Sequence, residues 1–171
     1  MSDQAPPSAR RDDVDAVVEA WRRERPDLDT TPLQVLSRVS RLALHLDRAR
    51  RDAFAAFGLE PWEFDVLAAL RRAGGHHELS PSALTAATLV TSGTMTNRID
   101  RLVDRGLVAR RPDPGDRRGV IVRLTGAGAQ AVDAALADRL ARERRVLAAL
   151  DPAQAAALAQ QLRALLLPFE D

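Results

Sequence analysis

Four short polar residues, Ser92, Thr94, Thr96 and Asn97, open a stretch that arginine then dominates. From Arg98 to Arg123 there are eight arginines (98, 101, 105, 110, 111, 117, 118 and 123) against four aspartates, while the whole chain carries a formal net charge of +1. Hydroxyl and amide side chains reach base edges in a DNA groove, and guanidinium groups pair with phosphates. This mix of residue types therefore points to DNA binding rather than to covalent chemistry. Arg101, Arg117 and Arg118 join the four polar residues as candidate DNA contacts. The last two sit at the tip of a turn, where arginine is the side chain best attracted into a narrow minor groove. Asp116 is placed to orient one of them through an ion pair.

Composition excludes other chemistries. The chain has no cysteine, hence no disulfide, thiolate metal site or thiol redox sensor. All 25 basic residues are arginine, and there is no lysine or tyrosine. No G-x-S-x-G turn and no phosphate loop is present, and the three histidines lie apart from any nucleophile pattern, so no enzyme is expected. No HxxxH spacing occurs, so no metal is expected, and no cofactor is implied. His76 and His77 follow Gly74-Gly75 and read as an exposed loop. His45 lies on a long helix, where a two-fold axis would set it beside its own copy. Two imidazoles held together resist double protonation, which makes His45 a candidate pH sensor. The N-terminus lacks the apolar core of a signal peptide, and no stretch approaches the ~20 consecutive apolar residues of a membrane span. A soluble, cytoplasmic protein without a membrane partner is the expectation.

The elements that position these residues follow from periodicity and punctuation. Residues 1–11 are polar and carry Pro6-Pro7, predicting a disordered tail. Val14, Val17, Val18 and Trp21 recur at helical spacing from about Asp13 to Arg25, and Pro26 stops the pattern. Pro32 opens a second helix whose apolar stripe, Leu33 to Ala53, ends near Phe57-Gly58. Its length exceeds what a small core needs and suggests a partner. Pro61 opens a third helix closed by Gly74-Gly75, and Ser80-Pro81 opens a fourth through about Leu89. A fifth runs from about Gly93 to Arg105, with Met95, Ile99 and Leu102 facing the core, and Gly106 ends it. Two strand-like runs follow, Leu107–Arg111 and Gly119–Leu124, around a Pro-Asp-Pro-Gly turn. Thr125 caps a long helix to about Ala149, and Asp151-Pro152 caps a last one to about Leu167. A short helix, a polar-start helix, a glycine stop and an arginine-tipped hairpin in this order predict a mainly α protein with a small β-hairpin wing: a winged helix-turn-helix. The expected organisation is a tail (1–11), N-terminal helices (12–60), a winged DNA-binding lobe (61–125) and C-terminal helices (126–171).

At SGTMTNRIDRL (92–102), GLV (106–108) and DPGDRRGVIVRLT (113–125) the chain resembles the MarR family of bacterial transcriptional regulators. The resemblance implies an intertwined homodimer whose N- and C-terminal helices form the dimerisation region, with two winged lobes reading a palindromic operator on double-stranded DNA. The first helix narrows it to the urate-responsive branch, which carries an extra N-terminal helix with a tryptophan, here Trp21. That branch's ligand set is completed by positions matching Asp65, Arg98 and Arg110. A planar anion would stack on Trp21 and pair with both arginines, while Asp65 accepts a ring N–H or holds an arginine in the empty site. An anion gripping a recognition-helix arginine and a wing arginine would couple ligand to DNA, giving a repressor released by a small anionic effector such as urate. Citrate- or aconitate-like acids suit the same two arginines. From another class, a helical adaptor that never touches DNA would account for the apolar helices but leave the arginine-tipped hairpin without a purpose.

Overall fold

A computed structural model of the protein describes residues 11–116 and 119–170; Arg117, Arg118 and most of the N-terminal tail lie outside them. The chain forms two compact units. One runs up to Arg48 and resumes at Arg142; the other is Ala49–Ala141.

In the first unit, α1 (Asp13–Glu24) is started by Asp12, whose carboxylate accepts from the backbone N–H groups of Val14 and Asp15 while Asp15 reaches back in a capping box. Val14 and Val18 are buried, whereas Val17 and Trp21 stay exposed. Arg38 of α2 (Thr31–Ala55) bonds both Asp12 and Asp15 at 2.8–3.0 Å, and Arg41 pairs with Asp13 at 2.5 Å. These arginines hold α1 to α2. At the far end of the chain, α7 (Pro152–Leu166) begins at the Asp151 capping box and runs into a 3₁₀ turn, Leu167–Phe169. No residue of α7 is buried, and α2 exposes Val35, Leu36, Val39, Leu42 and Leu44. The surplus of apolar helix inferred from the sequence is thus uncovered in the single chain.

The second unit is built on the C-terminal end of α2, α3 (Pro61–Arg72), α4 (Pro81–Thr88), α5 (Ser92–Asp104), three strands and the start of α6 (Gly126–Leu147). Its core stacks Phe54 on Phe64 with ring centroids 4.1 Å apart, and buries Leu67, Leu70, Leu84, Met95, Ile99, Leu102, Val122 and Val132. Strands β2 (Val108–Pro112) and β3 (Val120–Leu124) pair antiparallel from Val108↔Leu124 to Pro112↔Val120. The expected hairpin is a three-stranded sheet in the order β1-β3-β2, because Glu78–Leu79 forms a further strand, β1, against Arg123 and Val122. Two residues are too few to leave an alternation signal. The same strand corrects the reading of His77 as an exposed loop residue. His77 is half-buried, its carbonyl accepts from Leu124 N–H, and its Nε2 lies 2.9 Å from Arg71. Arg71 in turn bonds Asp133 of α6 through two nitrogens.

Two junctions fix where α5 and the wing begin and end. Gly106, at φ +69°, closes α5 with the Gly106 N–H to Val103 and Leu107 N–H to Leu102 bonds of a Schellman motif. Thr125 accepts from Gly128 N–H and donates to the Gly106 and Leu107 carbonyls. A Cβ on Gly128 would lie 2.1 Å from the Leu107 carbonyl oxygen, so only glycine lets α6 approach the strand this closely.

Candidate nucleic-acid interface and effector site

Thr91 caps α5, accepting from Thr94 N–H, and the Thr91 and Thr94 hydroxyls lie 2.9 Å apart. Ser92, Thr94, Thr96 and Asn97 are all exposed, whereas Met95, Ile99 and Leu102 of the same helix are buried. They differ in what is left to offer. The Thr94 hydroxyl is engaged with Thr91, and that of Thr96 donates to the Ser92 carbonyl, whereas Ser92 and Asn97 have no side-chain hydrogen bond among the described residues. The polar start of the helix therefore carries two uncommitted hydrogen-bonding groups able to meet base edges. Leading into it, Leu89 turns the chain from α4 to α5 at φ 53°, ψ 42° and is 93 % exposed.

The arginines divide by partner. Arg105, the C-cap of α5, reaches the buried carboxylate of Glu63 and the Gly58 carbonyl. Arg101 lies over the Trp62 ring at 4.8 Å and pairs with Glu60 at 3.2 Å; Arg98 lies over the same ring at 5.4 Å. Arg110 pairs with Asp100 at 2.5 Å. Arg111 bonds Glu78, which also faces Arg123 at 3.8 Å. The Arg111 hydrogen bond holds the Glu78 carboxyl below its ordinary range, and the Trp62 N–H, then Arg101, does the same for Glu60. The segment's positive excess is thus offset by Glu60, Glu63 and Glu78, which the fold brings in from elsewhere in the sequence. Trp62 was legible only as the start of a helix, since its cation–π partners lie 36 and 39 residues further on. Arg117 and Arg118 lie outside the described residues.

Of the four effector positions, the structure brings two together. Asp65 lies on α3, and its carboxyl titrates above the ordinary value because its surroundings strip water from it; Arg98 is first among four arginines, with Arg139, Arg72 and Arg50, that pull it back down. Arg110 is tied to Asp100, about 200° around α5 from Arg98, so the two arginines address different faces of that helix. Trp21 belongs to the other unit, where it is half exposed and lines a cleft of about 370 Å³ with Arg25, Leu28, Asp29, Thr30, Pro32 and Leu33. His45, also in that unit, is exposed at a second cleft with Asp12, Asp13, Arg38 and Arg41. In the same unit as Asp65, a cavity of about 150 Å³ is lined by Phe64, Ala68, Val132 and Leu136, by Arg72 and Arg139, and by the Arg71–Asp133 pair. Among the described residues, no group of three or more His, Asp or Glu is placed to hold a metal, and no helix is long and apolar enough to cross a membrane.

A capped helix entered through a tight turn, followed at once by a three-stranded wing, defines a winged-helix DNA-binding protein. The MarR family profile matches residues 57–119. The transcriptional regulator PecS of Dickeya dadantii is 40% identical over 139 residues, covering 81% of this chain and 84% of that protein. The structure of a MarR family protein from Bacillus stearothermophilus superposes with a TM-score of 0.71 at 22% identity, covering 84% and 99% of the two chains. BpsR of Bordetella bronchiseptica, whose DNA binding is regulated by 6-hydroxynicotinic acid, matches with a TM-score of 0.57 and 29% identity over 74% and 91%. The chain belongs to the MarR family of ligand-responsive transcriptional regulators, which bind DNA, act as dimers and are not enzymes. The adaptor alternative falls with that membership.

Proposed function

We propose that this protein is a repressor that a small planar or polycarboxylate anion, urate first among the candidates, releases from a palindromic operator. One observation carries the reading: Arg98 is a residue of α5, yet its guanidinium lies over Trp62 and acts on Asp65. An anion that competes with Asp65 for Arg98 is therefore held by the helix that reads DNA. Arg110, on the wing strand and paired with Asp100 of α5, offers the second handle on the same elements. Binding at either arginine changes the constraint on α5, which is what coupling between two sites requires.

The cavity favours a second reading of the effector. At about 150 Å³ it holds roughly one six-membered ring, less than a fused purine. A single-ring acid, or a compact polycarboxylate such as citrate or aconitate, suits Arg72 and Arg139 at its edge. The regulation of BpsR by 6-hydroxynicotinic acid agrees with that class.

The deciding measurement uses a duplex enriched from a random pool by the purified protein. Gel-shift titrations with urate, citrate, aconitate and 6-hydroxynicotinate are expected to lower affinity for one of them. Unchanged affinity across millimolar amounts of all four overturns the reading. Arg98→Ala and Trp21→Phe then test the ligand set, with Arg110→Ala and Asp65→Asn as its other members; full response in both of the first two removes the four-residue assignment.

A further inference from the structure

Leu89 stands where neither the backbone nor the solvent favours a leucine. Its φ of 53° and ψ of 42° place it in the left-handed region, which glycine or asparagine occupies with little steric cost. It is also 93 % exposed, so burial gives no reason for a large apolar side chain there. The turn itself is anchored on both sides. Thr88 closes α4 with a hydroxyl bond to the Leu84 carbonyl, Val90 packs against the core, and Thr91 caps α5. His77 has a similar φ but is half-buried and hydrogen-bonded, whereas Leu89 is in a disfavoured conformation with its side chain in solvent, which calls for a reason outside the fold.

We infer that Leu89 is a DNA-reading residue that docks on the methyl group of a thymine at the edge of the major groove. The inference rests on the reading of α5 as the recognition helix. A helix-turn-helix inserts its second helix N-terminal end first, so the turn three residues before Ser92 rides at the groove edge. A leucine has nothing to offer a phosphate. The apolar group that a base presents in the major groove is the thymine C5-methyl, and aliphatic side chains read it by contact. Leu89 thus adds an apolar determinant to the hydrogen-bonding groups of Ser92 and Asn97.

The test compares Leu89→Gly, Leu89→Ala and Asn97→Ala with the wild type on the enriched duplex. Leu89→Gly is expected to melt at the same temperature or higher, because the left-handed strain is relieved, while binding about fourfold more weakly per half-site, the worth of one buried methyl. Leu89→Ala, which keeps the strain and loses the isopropyl group, should weaken binding alike. Replacing one thymine of each half-site by uracil should cost the wild type the same factor and cost Leu89→Gly nothing. Unchanged affinity in Leu89→Gly, a lowered melting temperature, or indifference to uracil at every position overturns the inference. If Asn97→Ala also binds as the wild type does, the reading of α5 itself fails; if Asn97→Ala alone weakens binding, only the role of Leu89 does.

Discussion

Asp65 is held where its charge is disfavoured. Its carboxyl titrates above the ordinary 3.8 of an unfolded chain, so at neutral pH the ionised group opposes folding. Asp65→Asn should therefore raise the melting temperature at pH 7, with a gain that shrinks as pH falls through the raised folded value and is gone below 3.8, where the carboxyl is protonated in both states. Scanning calorimetry at pH 7 and pH 3.5 checks this, and a lower melting temperature at pH 7 contradicts it. The same variant should bind the effector anion more tightly, since the group that competes for Arg98 is gone. At this scale the sequence was legible where a residue's role depends on near neighbours. The 3.6-residue spacing of Met95, Ile99 and Leu102 was enough to place them in the core. It was not legible where the partner is distant. Nothing local to SGTMTNRIDRL announces that Trp62 lies under Arg98 and Arg101, or that Glu60 and Glu63 neutralise two of the arginines.

Elements were legible in proportion to their length and punctuation. Capping residues and prolines at Ser80-Pro81, Thr125 and Asp151-Pro152 fixed helix starts, and Gly106 fixed a stop. Strand β1 escaped because two residues carry no period, and its place follows from pairing with β3 rather than from its own sequence. The close seat of α6 on the wing gives a sharp expectation. Gly128→Ala drives a methyl into the Leu107 carbonyl, which as backbone cannot swing aside, and should cost about 1–3 kcal/mol in urea denaturation. A second expectation concerns acid. Arg71 lowers the pKa of Asp133, joining α3 to α6, and Arg111 lowers that of Glu78, joining β1 to β2. With folded values below the unfolded 3.8 and 4.5, their stabilisation is complete above about pH 4.5 and is lost as pH falls through the lowered values. The melting temperature should decline below that point, and Asp133→Asn should flatten the decline. An equally steep acid limb in that variant would exclude the Arg71 pair as a cause.

On the scale of the whole molecule, the family acts as dimers, and each unit leaves a different surface for others to meet. The unit formed by the two ends of the chain exposes the apolar faces of α2 and α7, suited to a second copy. The other exposes Ser92, Asn97 and the approach to the wing tip. Because Glu60, Glu63 and Glu78 take up arginines of the stretch, the non-specific pull on DNA should rest on fewer cations than its sequence suggests. Arg117 and Arg118 themselves lie outside the described residues, and the sequence expectation for them is direct contact with DNA. Arg117→Ala and Arg118→Ala should each make the plot of log affinity against log salt shallower by about one unit on random duplex DNA. Arg111→Ala should leave that slope unchanged, as its charge is spent on Glu78. Equal slopes for all three variants would show that the segment's arginines act as one undivided field.

The position of Trp62 gives the molecule an optical property as well as a chemical one. The chain contains no tyrosine and two tryptophans, and these fall in different compact units. In Trp21→Phe the only strong emitter left is an indole lying against two arginines of α5. Any event that shifts those guanidinium groups alters the environment of that ring. The intensity and wavelength of its fluorescence then report movement of α5 directly, without a dye and without background from the rest of the protein.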